Sequence, residues 1–252
     1  MNFDFSGRTV LVTGGAIGFG RAIAHAFAER GADVHVFDID EAGLEETARS
    51  ARGAVHSHVL DVGDRAAVQS AVGGIAAKTG RIDVLVNNAG GVRGQTGRPI
   101  EEIGEDDWRA IFAVNLDGAF FMSQAVAPTM KERTFGRIVN IASGAGLGVS
   151  LTGIQAYASA KAGQIGLTRQ LAHELGAFGI TVNSVAPGFV RSNPATERQW
   201  EAMGTEGQTR LVESIALKRR GTPEDIAAMV LFFASENAGW ISGQIISVDG
   251  GK

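Results

Sequence analysis

The sequence predicts an α/β fold: a single doubly wound domain whose seven-stranded, mainly parallel sheet carries helices on both faces. Short apolar runs alternate with helix-like segments along the whole 252-residue chain, and these runs are nearly continuous in apolar character. Such strands, separated by helices, are typical of a parallel sheet covered on both faces. The chain is long enough for that core and shows no composition break or internal repeat, so one domain over residues 1–252 is expected.

The elements follow one another with recognisable beginnings and ends. The predicted strands are RTVLVT, ADVHVFD, AVHSHVLD, IDVLVNNAG, GRIVNIAS, GITVNSVAPG and GQIISVDGG. Helical spacing of apolar residues or a polar helical pattern places helices at residues 18–30, 41–51, 65–78, 105–130, 155–178 and 223–234, the last opened by Thr-Pro. The doubly wound pattern predicts the strand order 3-2-1-4-5-6-7.

Two polar stretches, at residues 90–104 and 191–215, interrupt the alternation of predicted strands and helices. Both follow the carboxyl ends of strands, where open α/β sheets bind ligands. Ordinary loop variation is one explanation for them. The length of the second stretch favours a substrate lid, because connections this long are uncommon unless they are functional.

Composition and charge exclude several classes of function. The formal net charge is −4 with scattered Lys and Arg, which argues against a nucleic-acid or anionic-membrane partner. The chain has no Cys, and therefore no disulfide framework, thiolate zinc site or cysteine nucleophile. The opening residues lack a secretory pattern and no apolar run approaches the roughly 18 residues of a membrane span, so a cytoplasmic location is expected. The histidines at 25, 35, 56, 58 and 173 show no metal-ligand spacing with nearby acids, and no catalytic metal is expected.

Glycines cluster in the first strand-to-helix turn, residues 13–20, as Gly14, Gly18 and Gly20. Glycine lets a backbone approach a pyrophosphate at the amino end of a helix, where free N–H groups and the helix dipole favour negative charge. The spacing is G-x-x-x-G-x-G rather than the commoner G-x-G-x-x-G, and glycine also serves plain tight packing. The strand–turn–helix context favours nucleotide binding.

Asp38 ends the second predicted strand, 18 residues beyond Gly20. A carboxylate there can bind both hydroxyls of an adenosine ribose and would repel a 2′-phosphate; an exposed strand-end carboxylate is the plain alternative. No basic residue lies in the turn to attract a 2′-phosphate, so NAD is expected rather than NADP. Asp61 and Val62 end the third strand, where they are expected to face the adenine.

Tyr157, the single Tyr of the chain, and Lys161 lie four residues apart on one predicted helix, so both project from one face. An adjacent ammonium favours a phenolate and lowers the phenol pKa from its free value of about 10. On its own, the pair is more often a packed aromatic beside a surface lysine. Ser143 follows the fifth strand and is expected near the same crevice, while Asn115 is an unusual amide in the middle of a helix.

Together these residues resemble the short-chain dehydrogenase/reductase family over essentially the whole chain. The resemblance rests on TGGAIGFG at 13–20, NNAG at 87–90, Asn115, Ser143, Tyr157-Ala-Ser-Ala-Lys161, Pro187-Gly188 and VDGG at 248–251. It implies a Rossmann-type fold and an oxidoreductase that interconverts a secondary alcohol and a ketone with a nicotinamide cofactor.

The resemblance also implies a role for each matched residue. Tyr157 would be the general acid/base, Ser143 would orient the substrate oxygen, Lys161 would hold the nicotinamide ribose and depress the Tyr157 pKa, and Asn115 would support a proton-relaying water. The implied cofactor contacts are Gly14, Ile17, Gly18, Phe19, Gly20, Asp38, Asp61, Val62, Asn88, Tyr157, Lys161, Pro187, Gly188, Val190 and Ser192, the last standing where the family usually has Thr. Relatives pair their long apolar helices, so the faces with Phe112, Phe120, Phe121, Leu167 and Leu171 imply a homotetramer.

The substrate pocket is expected to contain Ser143, Tyr157, Gln155 and Arg93, with Arg98 and Arg191 nearby. Because arginine binds carboxylates in bidentate fashion, these side chains favour NAD-dependent oxidation of a sugar acid of the 2-keto-3-deoxy-aldonate type, or of a polyol, in carbohydrate catabolism. Solvated surface arginines are the plain alternative. A 3-oxoacyl-thioester reductase is a second candidate, although it would normally use NADP. A non-catalytic NAD-binding or sensing protein is a third, but it has no use for an acid/base set.

Overall fold

The computed structural model describes residues 3–252. Its seven strands form a single sheet in the order β3-β2-β1-β4-β5-β6-β7, and every neighbouring pair is parallel. The strands are β1 Thr9–Thr13, β2 Asp33–Asp38, β3 Val55–Val59, β4 Val84–Asn87, β5 Gly136–Ile141, β6 Ile180–Pro187 and β7 Ile245–Val248. The predicted sheet and strand order are confirmed.

Helices cover both faces of this sheet. They are α1 Gly18–Ala28, α2 Glu41–Ser50, α3 Arg65–Thr79, α4 Glu105–Phe112, α5 Gly118–Glu132, α6 Gln155–Leu175, α7 Pro194–Ala202, α8 Gly204–Ser214 and α9 Pro223–Ala234. Successive residues of β1 point to opposite faces: Val10 and Val12 join the core layer under α1 and α9, and Leu11 joins the layer under α3 and α5. The near-continuous apolar strands therefore serve two core layers at once.

Two elements differ from the predicted boundaries. The helix predicted over residues 105–130 is interrupted by one turn of π-helix, Ala113–Asp117, between α4 and α5. The stretch at 191–215, expected as a long connection, contains α7 and α8. Helix α7 begins with a capping box between Asn193 and Thr196 and has Pro194 in its first turn, a start pattern that the sequence carries plainly.

A buried polar network ties the centre of the sheet to α6. The side-chain amide of Asn87 donates to Asn140 Oδ1 at 2.8 Å, and the amide of Asn140 donates to Thr168 Oγ1 at 2.8 Å. All three residues are buried, so each of these hydrogen bonds replaces water that the folded chain excludes. The network fixes the position of α6 against β4 and β5.

The helical stretch Glu105–Glu132 is long and apolar enough to cross a membrane by length and composition, with a mean hydropathy of 1.4 in its most apolar window. The stretch contains no unbroken apolar run of that length, because charged and polar residues are scattered through it. In the fold, Met122, Val126 and Met130 of α5 belong to the core layer between helices and sheet. Part of the apolar character of this stretch therefore serves to cover the sheet.

Candidate active site

The carboxyl ends of the central strands bring the predicted site residues to one edge of the sheet. Thr13 ends β1, Asn87 ends β4 and Pro187 ends β6, while Ser143 follows β5. This edge lies beside the strand-order reversal between β1 and β4, where α/β sheets leave a crevice.

The glycine-rich turn after β1 leaves no room for a side chain at Gly18 or Gly20. A Cβ on Gly20 would lie 1.9 Å from the carbonyl oxygen of Gly14, and one on Gly18 would lie 2.5 Å from that of Ser192. Gly14 and Gly18 also adopt φ values of +67° and +58°, which favour glycine. The N-cap residue of α1 is Ile17, whose apolar side chain cannot accept a hydrogen bond from the first N–H groups of the helix. The open N–H groups of α1 thus fit a pyrophosphate.

The carboxylate of Asp38 is held against the same turn. Its Oδ2 accepts a hydrogen bond from the N–H of Ala16 at 3.1 Å, and its Oδ1 accepts from the N–H groups of Ile39 and Asp40 at 2.8 and 3.2 Å. These backbone donors keep a negative charge at the end of β2 beside the nucleotide-binding turn. This position suits a neutral ribose hydroxyl and disfavours a phosphate.

Several predicted cofactor residues play structural roles in this crevice. The amide of Asn88 donates to the carbonyl oxygens of Thr13 and Gly14, at 2.9 and 3.0 Å, and so fixes the glycine-rich turn. The buried side chain of Val62 lies against Gly118, so only its backbone can face a ligand. The partly buried Phe19 packs on the core layer under α1.

The remaining predicted cofactor residues lie around the same edge. Asp61 accepts a hydrogen bond from the N–H of Gly63 at 2.8 Å. Gly188 follows Pro187 and packs so closely on Asp249 that a Cβ would lie 2.7 Å from the Asp249 Cβ. Val190 is buried and forms a bridge with Gly221, which fixes the start of the segment leading to α7.

Tyr157 and Lys161 project from one face of α6, with Lys161 Nζ 5.9 Å from the centre of the Tyr157 ring. Burial raises the pKa of the Tyr157 phenol above its ordinary value, and a hydrogen bond with Ser143 opposes that shift only in part. The expected lowering of this pKa by Lys161 is therefore not found in the protein alone. The influence of Ser143 on this pKa indicates that the Ser143 hydroxyl lies close to the Tyr157 phenol.

Lys161 is buried, and its ammonium group is held by backbone rather than by an acid. Nζ donates to the carbonyl oxygen of Ile141 at 2.7 Å and to Gln164 Oε1 at 3.4 Å. Burial lowers the pKa of Lys161 to about 7, because the desolvated ammonium loses its hydration without gaining a countercharge. The group is thus near its titration point at neutral pH, which weakens the field it exerts on Tyr157.

Asn115 lies in the π-helical turn and fixes the loop that follows β4. Its amide donates to the carbonyl oxygens of Gly91 and Ile111, at 2.9 and 2.8 Å, and its Oδ1 accepts from the N–H of Gly91 at 2.9 Å. This reciprocal pair explains why a polar amide stands in the middle of a helix. Single turns of π-helix inside α-helices are frequent at functional sites.

Gly90 is the last residue of the NNAG motif and lies in the site, although no role was predicted for it. A Cβ at this position would lie 2.6 Å from Asn115 Oδ1 and 3.3 Å from Lys161 Nζ. The glycine therefore lets two predicted catalytic side chains approach each other. Spacing alone could not reveal this requirement, because it arises from residues of three separate elements.

The arginines predicted near the substrate are mostly paired with acids. Arg98 forms an ion pair with Asp107, and Arg191 forms one with Glu197. Arg93 is exposed and forms no ion pair with any described residue. Two of the three arginines predicted in or near the substrate pocket are therefore bound to acidic side chains of the protein.

Gln155 opens α6, and its amide donates to the carbonyl oxygen of Arg98 at 3.1 Å. This hydrogen bond joins α6 to the polar loop after β4. Gln155 consequently lies between that loop and Tyr157, two residues further along the helix.

The segment containing α7 and α8 carries an aromatic wall. The rings of Phe189 and Trp200 stack with their centres 6.1 Å apart, and the guanidinium group of Arg220 lies 4.8 Å from the centre of the Trp200 ring. A cavity of about 630 Å³ lies beside this segment, lined by Arg191, Glu197, Val212, Arg219, Arg220, Gly221, Thr222 and Pro223. Neither Ser143 nor Tyr157 lines it, so this cavity is not the catalytic crevice.

Comparison with known proteins assigns the chain to a family. Residues 14–252 match the family model described as Enoyl-(Acyl carrier protein) reductase. The chain is 43% identical to the (2S)-[(R)-hydroxy(phenyl)methyl]succinyl-CoA dehydrogenase subunit BbsD of Thauera aromatica, over 97% of this chain and 96% of that protein. The chain belongs to the short-chain dehydrogenase/reductase family.

Other members of the short-chain dehydrogenase/reductase family differ in their named substrates. The chain is 40% identical to the D-threitol dehydrogenase of Mycolicibacterium smegmatis, over 100% of this chain and 95% of that protein. The crystal structure of levodione reductase is similar with a TM-score of 0.88 and 33% identity, covering 98% of this chain and 97% of that chain. This short-chain dehydrogenase/reductase is accordingly an oxidoreductase that acts on CH–OH groups with a nicotinamide cofactor.

Proposed function

We propose that this protein is an NAD(H)-dependent oxidoreductase that interconverts a secondary alcohol and a ketone, with Tyr157 as the general acid/base. The observation that supports it best is the meeting of Tyr157, Ser143 and Lys161 in the crevice beside the nucleotide-binding turn. A hydroxyl held at Ser143 and Tyr157 would lie between a proton acceptor and a hydrogen-bond donor.

The residues present fit a dinucleotide. The free N–H groups of α1 suit the pyrophosphate, Asp38 the adenosine ribose, and Asp61 the adenine edge, while Lys161 and Ser192 would hold the nicotinamide end. The bound cofactor would supply the acceptor or donor of a hydride. Tyr157 takes up the proton that leaves the alcohol hydroxyl, and Ser143 keeps the substrate oxygen oriented. The segment 191–215 would act as a lid that excludes water.

The preference for NAD rests on Asp38. Its carboxylate lies against the glycine-rich turn, where it would repel a 2′-phosphate, and it is held by three backbone N–H groups rather than by a basic side chain that could neutralise it. Arg21, just beyond the turn, is itself bound to Thr47 Oγ1 at 2.9 Å and to the carbonyl oxygen of Ala16. The recorded hydrogen bonds of Arg21 thus go to the turn and to α2 rather than to the Asp38 carboxylate, which keeps its negative charge to repel a 2′-phosphate.

The proposed substrate is a polar alcohol, either a polyol or a sugar acid of the 2-keto-3-deoxy-aldonate type, oxidised in carbohydrate catabolism. The D-threitol dehydrogenase among the relatives supports a polyol. The pairing of Arg98 and Arg191 with acids leaves Arg93 as the remaining predicted partner for a carboxylate. The geometry thus favours a neutral polyol over an anionic sugar.

A 3-oxoacyl-thioester reductase is a second candidate function. The relative that acts on a succinyl-CoA derivative and the acyl carrier protein in the family description both support a thioester substrate. Asp38 disfavours the NADP that such a reductase would normally use. The two candidates share the same catalytic residues and differ in cofactor and substrate.

The experiment that separates the candidates measures how fast the purified protein forms or consumes NADH and NADPH. The substrates to be compared are polyols, aldonates, keto-deoxy sugar acids, hydroxyacyl thioesters and 3-oxoacyl thioesters. The proposal predicts turnover of polyols or sugar acids with NAD at a kcat/KM at least about tenfold above that with NADP. Turnover confined to thioesters with NADP would support the second candidate. Failure with every alcohol and ketone, with NAD still bound, would contradict both.

We also propose that the protein is a homotetramer assembled through its long apolar helices. Phe120 of α5 is 41% exposed, and Trp108 stacks on Phe112 at the partly exposed surface of α4. Phe121 and Leu171 instead pack partly against the core, so fewer residues than predicted are free for such an interface. Light scattering on Phe120→Glu should show a smaller assembly than the wild type if this face is used.

A further inference from the structure

Three potential metal ligands meet at the amino end of the sheet edge, away from the crevice described above. Asp33 begins β2, and His35 lies two residues along the same strand, so both side chains project from one face. His56 lies on β3 in register with His35. Asp38, at the other end of β2, is five residues away from Asp33, or about 16 Å along the strand. The expectation that the histidines form no metal-ligand arrangement with nearby acids is therefore wrong for His35 and His56.

The nitrogen and oxygen atoms of this group face one another. His56 Nε2 lies 2.8 Å from Asp33 Oδ1, and His35 Nε2 lies 3.6 Å from Asp33 Oδ2. One ligand atom from each of the three residues lies within 4.8 Å of the others. The two imidazole rings stack with their centres 4.9 Å apart, so both Nε2 atoms point toward the same carboxylate.

His35 Nε2 is the atom of this group that lacks a hydrogen-bond partner among the described residues. The residue is only 3% exposed, and this nitrogen has no hydrogen-bond partner among residues 3–252. A buried polar atom without a partner is unusual and costly in a folded protein. A hydrogen bond to Asp33 is not formed at 3.6 Å, and an ion placed between the three ligand atoms would satisfy both groups.

We propose that Asp33, His35 and His56 bind one divalent transition-metal ion of the zinc type. Two imidazole nitrogens and one carboxylate oxygen suit Zn²⁺, whose bonds of about 2.0–2.1 Å in tetrahedral geometry place ligand atoms roughly 3.3 Å apart. His56 Nε2 lies 2.8 Å from Asp33 Oδ1 and His35 Nε2 lies 3.6 Å from Asp33 Oδ2, and one ligand atom of each residue lies within 4.8 Å of the other two, so a small adjustment of the side chains would bring the three into this geometry. The fourth position would be filled by water, because His56 and Asp33 are partly exposed.

His58 lies against the second ring nitrogen of His35, with His58 Nε2 2.9 Å from His35 Nδ1. In the tautomer in which His35 Nδ1 carries the proton, this hydrogen bond fixes the His35 ring and leaves its Nε2 free as a ligand.

The position of the site indicates a structural rather than a catalytic metal. It joins β2 to β3, the strand at the edge of the sheet, and it lies at the end of β2 opposite to Asp38. A bound ion would fasten this edge strand to its neighbour. The proposal is independent of the reaction, so its test does not depend on activity.

The test is metal binding by the full-length protein after removal of metals with a chelator. Titration with Zn²⁺ should show one ion per chain, and Co²⁺ should give the visible absorption of a tetrahedral site. His56→Gln and Asp33→Asn remove exposed ligands without opening the core and should weaken Zn²⁺ binding at least about tenfold. Zn²⁺ at about 100 times its Kd should raise the Tm of the wild type by roughly 5 °C.

The matched control is His173→Gln, because His173 is an exposed histidine on α6. It should bind Zn²⁺ as the wild type does, and all variants should retain NADH binding as evidence of a native fold. The proposal is wrong if the wild type binds no Zn²⁺, or if His56→Gln and Asp33→Asn bind it as tightly as the wild type. Binding lost equally in the control would also overturn it.

Discussion

Lys161 illustrates how burial changes what a single charge can do. The sequence suggests a permanent ammonium beside Tyr157, but the folded protein desolvates that group and lowers its pKa to about 7, while burial raises the pKa of Tyr157. An anionic dinucleotide in the crevice would favour the protonated lysine again. The electrostatic field by which the Lys161 ammonium activates the Tyr157 phenol is therefore strongest when a dinucleotide occupies the crevice.

The first prediction concerns this field and the pH dependence of alcohol oxidation. The rate should rise with pH, because the phenolate of Tyr157 is the proton acceptor and its fraction grows as pH approaches its pKa. Lys161→Met should move this rise to higher pH and lower the rate at pH 7 at least about tenfold. The pH profile of kcat/KM measures it, with Lys131→Met, a surface lysine variant, as the control. An unshifted profile would mean that Lys161 does not act on Tyr157.

The second prediction concerns Asp38. Replacing this carboxylate and introducing a positive neighbour, as in Asp38→Ser combined with Ile39→Arg, should raise the kcat/KM ratio of NADP to NAD at least about 100-fold, because a repulsive contact becomes an attractive one. The control is Asp40→Ser, which removes a nearby acid that caps α2. An unchanged cofactor preference in the double variant would contradict the role given to Asp38.

At the scale of elements, the site depends on how a loop, a π-helical turn and α6 meet. Asn115 binds the backbone of Gly91, and the missing side chain of Gly90 leaves space for both Asn115 and Lys161. The interruption between α4 and α5 turns Asn115 toward the loop after β4. The π-helical turn Ala113–Asp117 therefore serves to position Asn115 within the site.

The third prediction tests this arrangement with one methyl group. Gly90→Ala should lower kcat at least about tenfold, since its Cβ would press on Asn115 Oδ1 and on Lys161 Nζ and displace the groups that position Tyr157. Gly148→Ala is the matched control, because a Cβ there meets nothing within 4 Å. Steady-state kinetics with a thermal melt of each variant make the comparison. Wild-type kcat in Gly90→Ala would show that the close approach is unimportant.

At the scale of the whole molecule, an ion-pair cluster joins the amino ends of β1 and β4. Asp83 is buried and binds Arg8 and Arg81 at 3.1 and 2.6 Å, as well as the N–H of Thr9 at 2.9 Å. Burial alone would raise the pKa of Asp83, but the hydrogen bonds from Arg81, Thr9 and Arg8 together lower it below its ordinary value. The ionised form of Asp83 therefore stabilises the fold.

The fourth prediction follows from the sign of that shift. A lowered pKa in the folded state means that the unfolded state binds the proton more readily, so stability is present above pH 4 and is lost as pH falls through the folded-state pKa. Asp83→Asn should lower the free energy of unfolding at pH 7 by about 2–3 kcal/mol and flatten its acid dependence. Urea unfolding at several pH values measures both effects, with the exposed Asp106→Asn as control. Identical acid dependence in Asp83→Asn and wild type would refute the account.

The sequence predicted most of the fold because apolar runs, glycines and helix starts are local patterns. The all-parallel sheet, its strand order and the elements that carry Ser143, Tyr157 and Lys161 were all expected. What it could not predict depends on contacts between distant residues: the turn at Ala113–Asp117, the ion pairs of the arginines, and the meeting of His35 and His56 across two strands.

The central claim is that Tyr157 exchanges the proton with the substrate while other groups bind the cofactor. Tyr157→Phe keeps the ring and removes the hydroxyl, so the most direct measurement compares its kcat with its NADH affinity by fluorescence titration. The account predicts a kcat at least about 100-fold below the wild type, with a Kd for NADH changed less than about threefold. Turnover by Tyr157→Phe at a rate comparable with the wild type would contradict it.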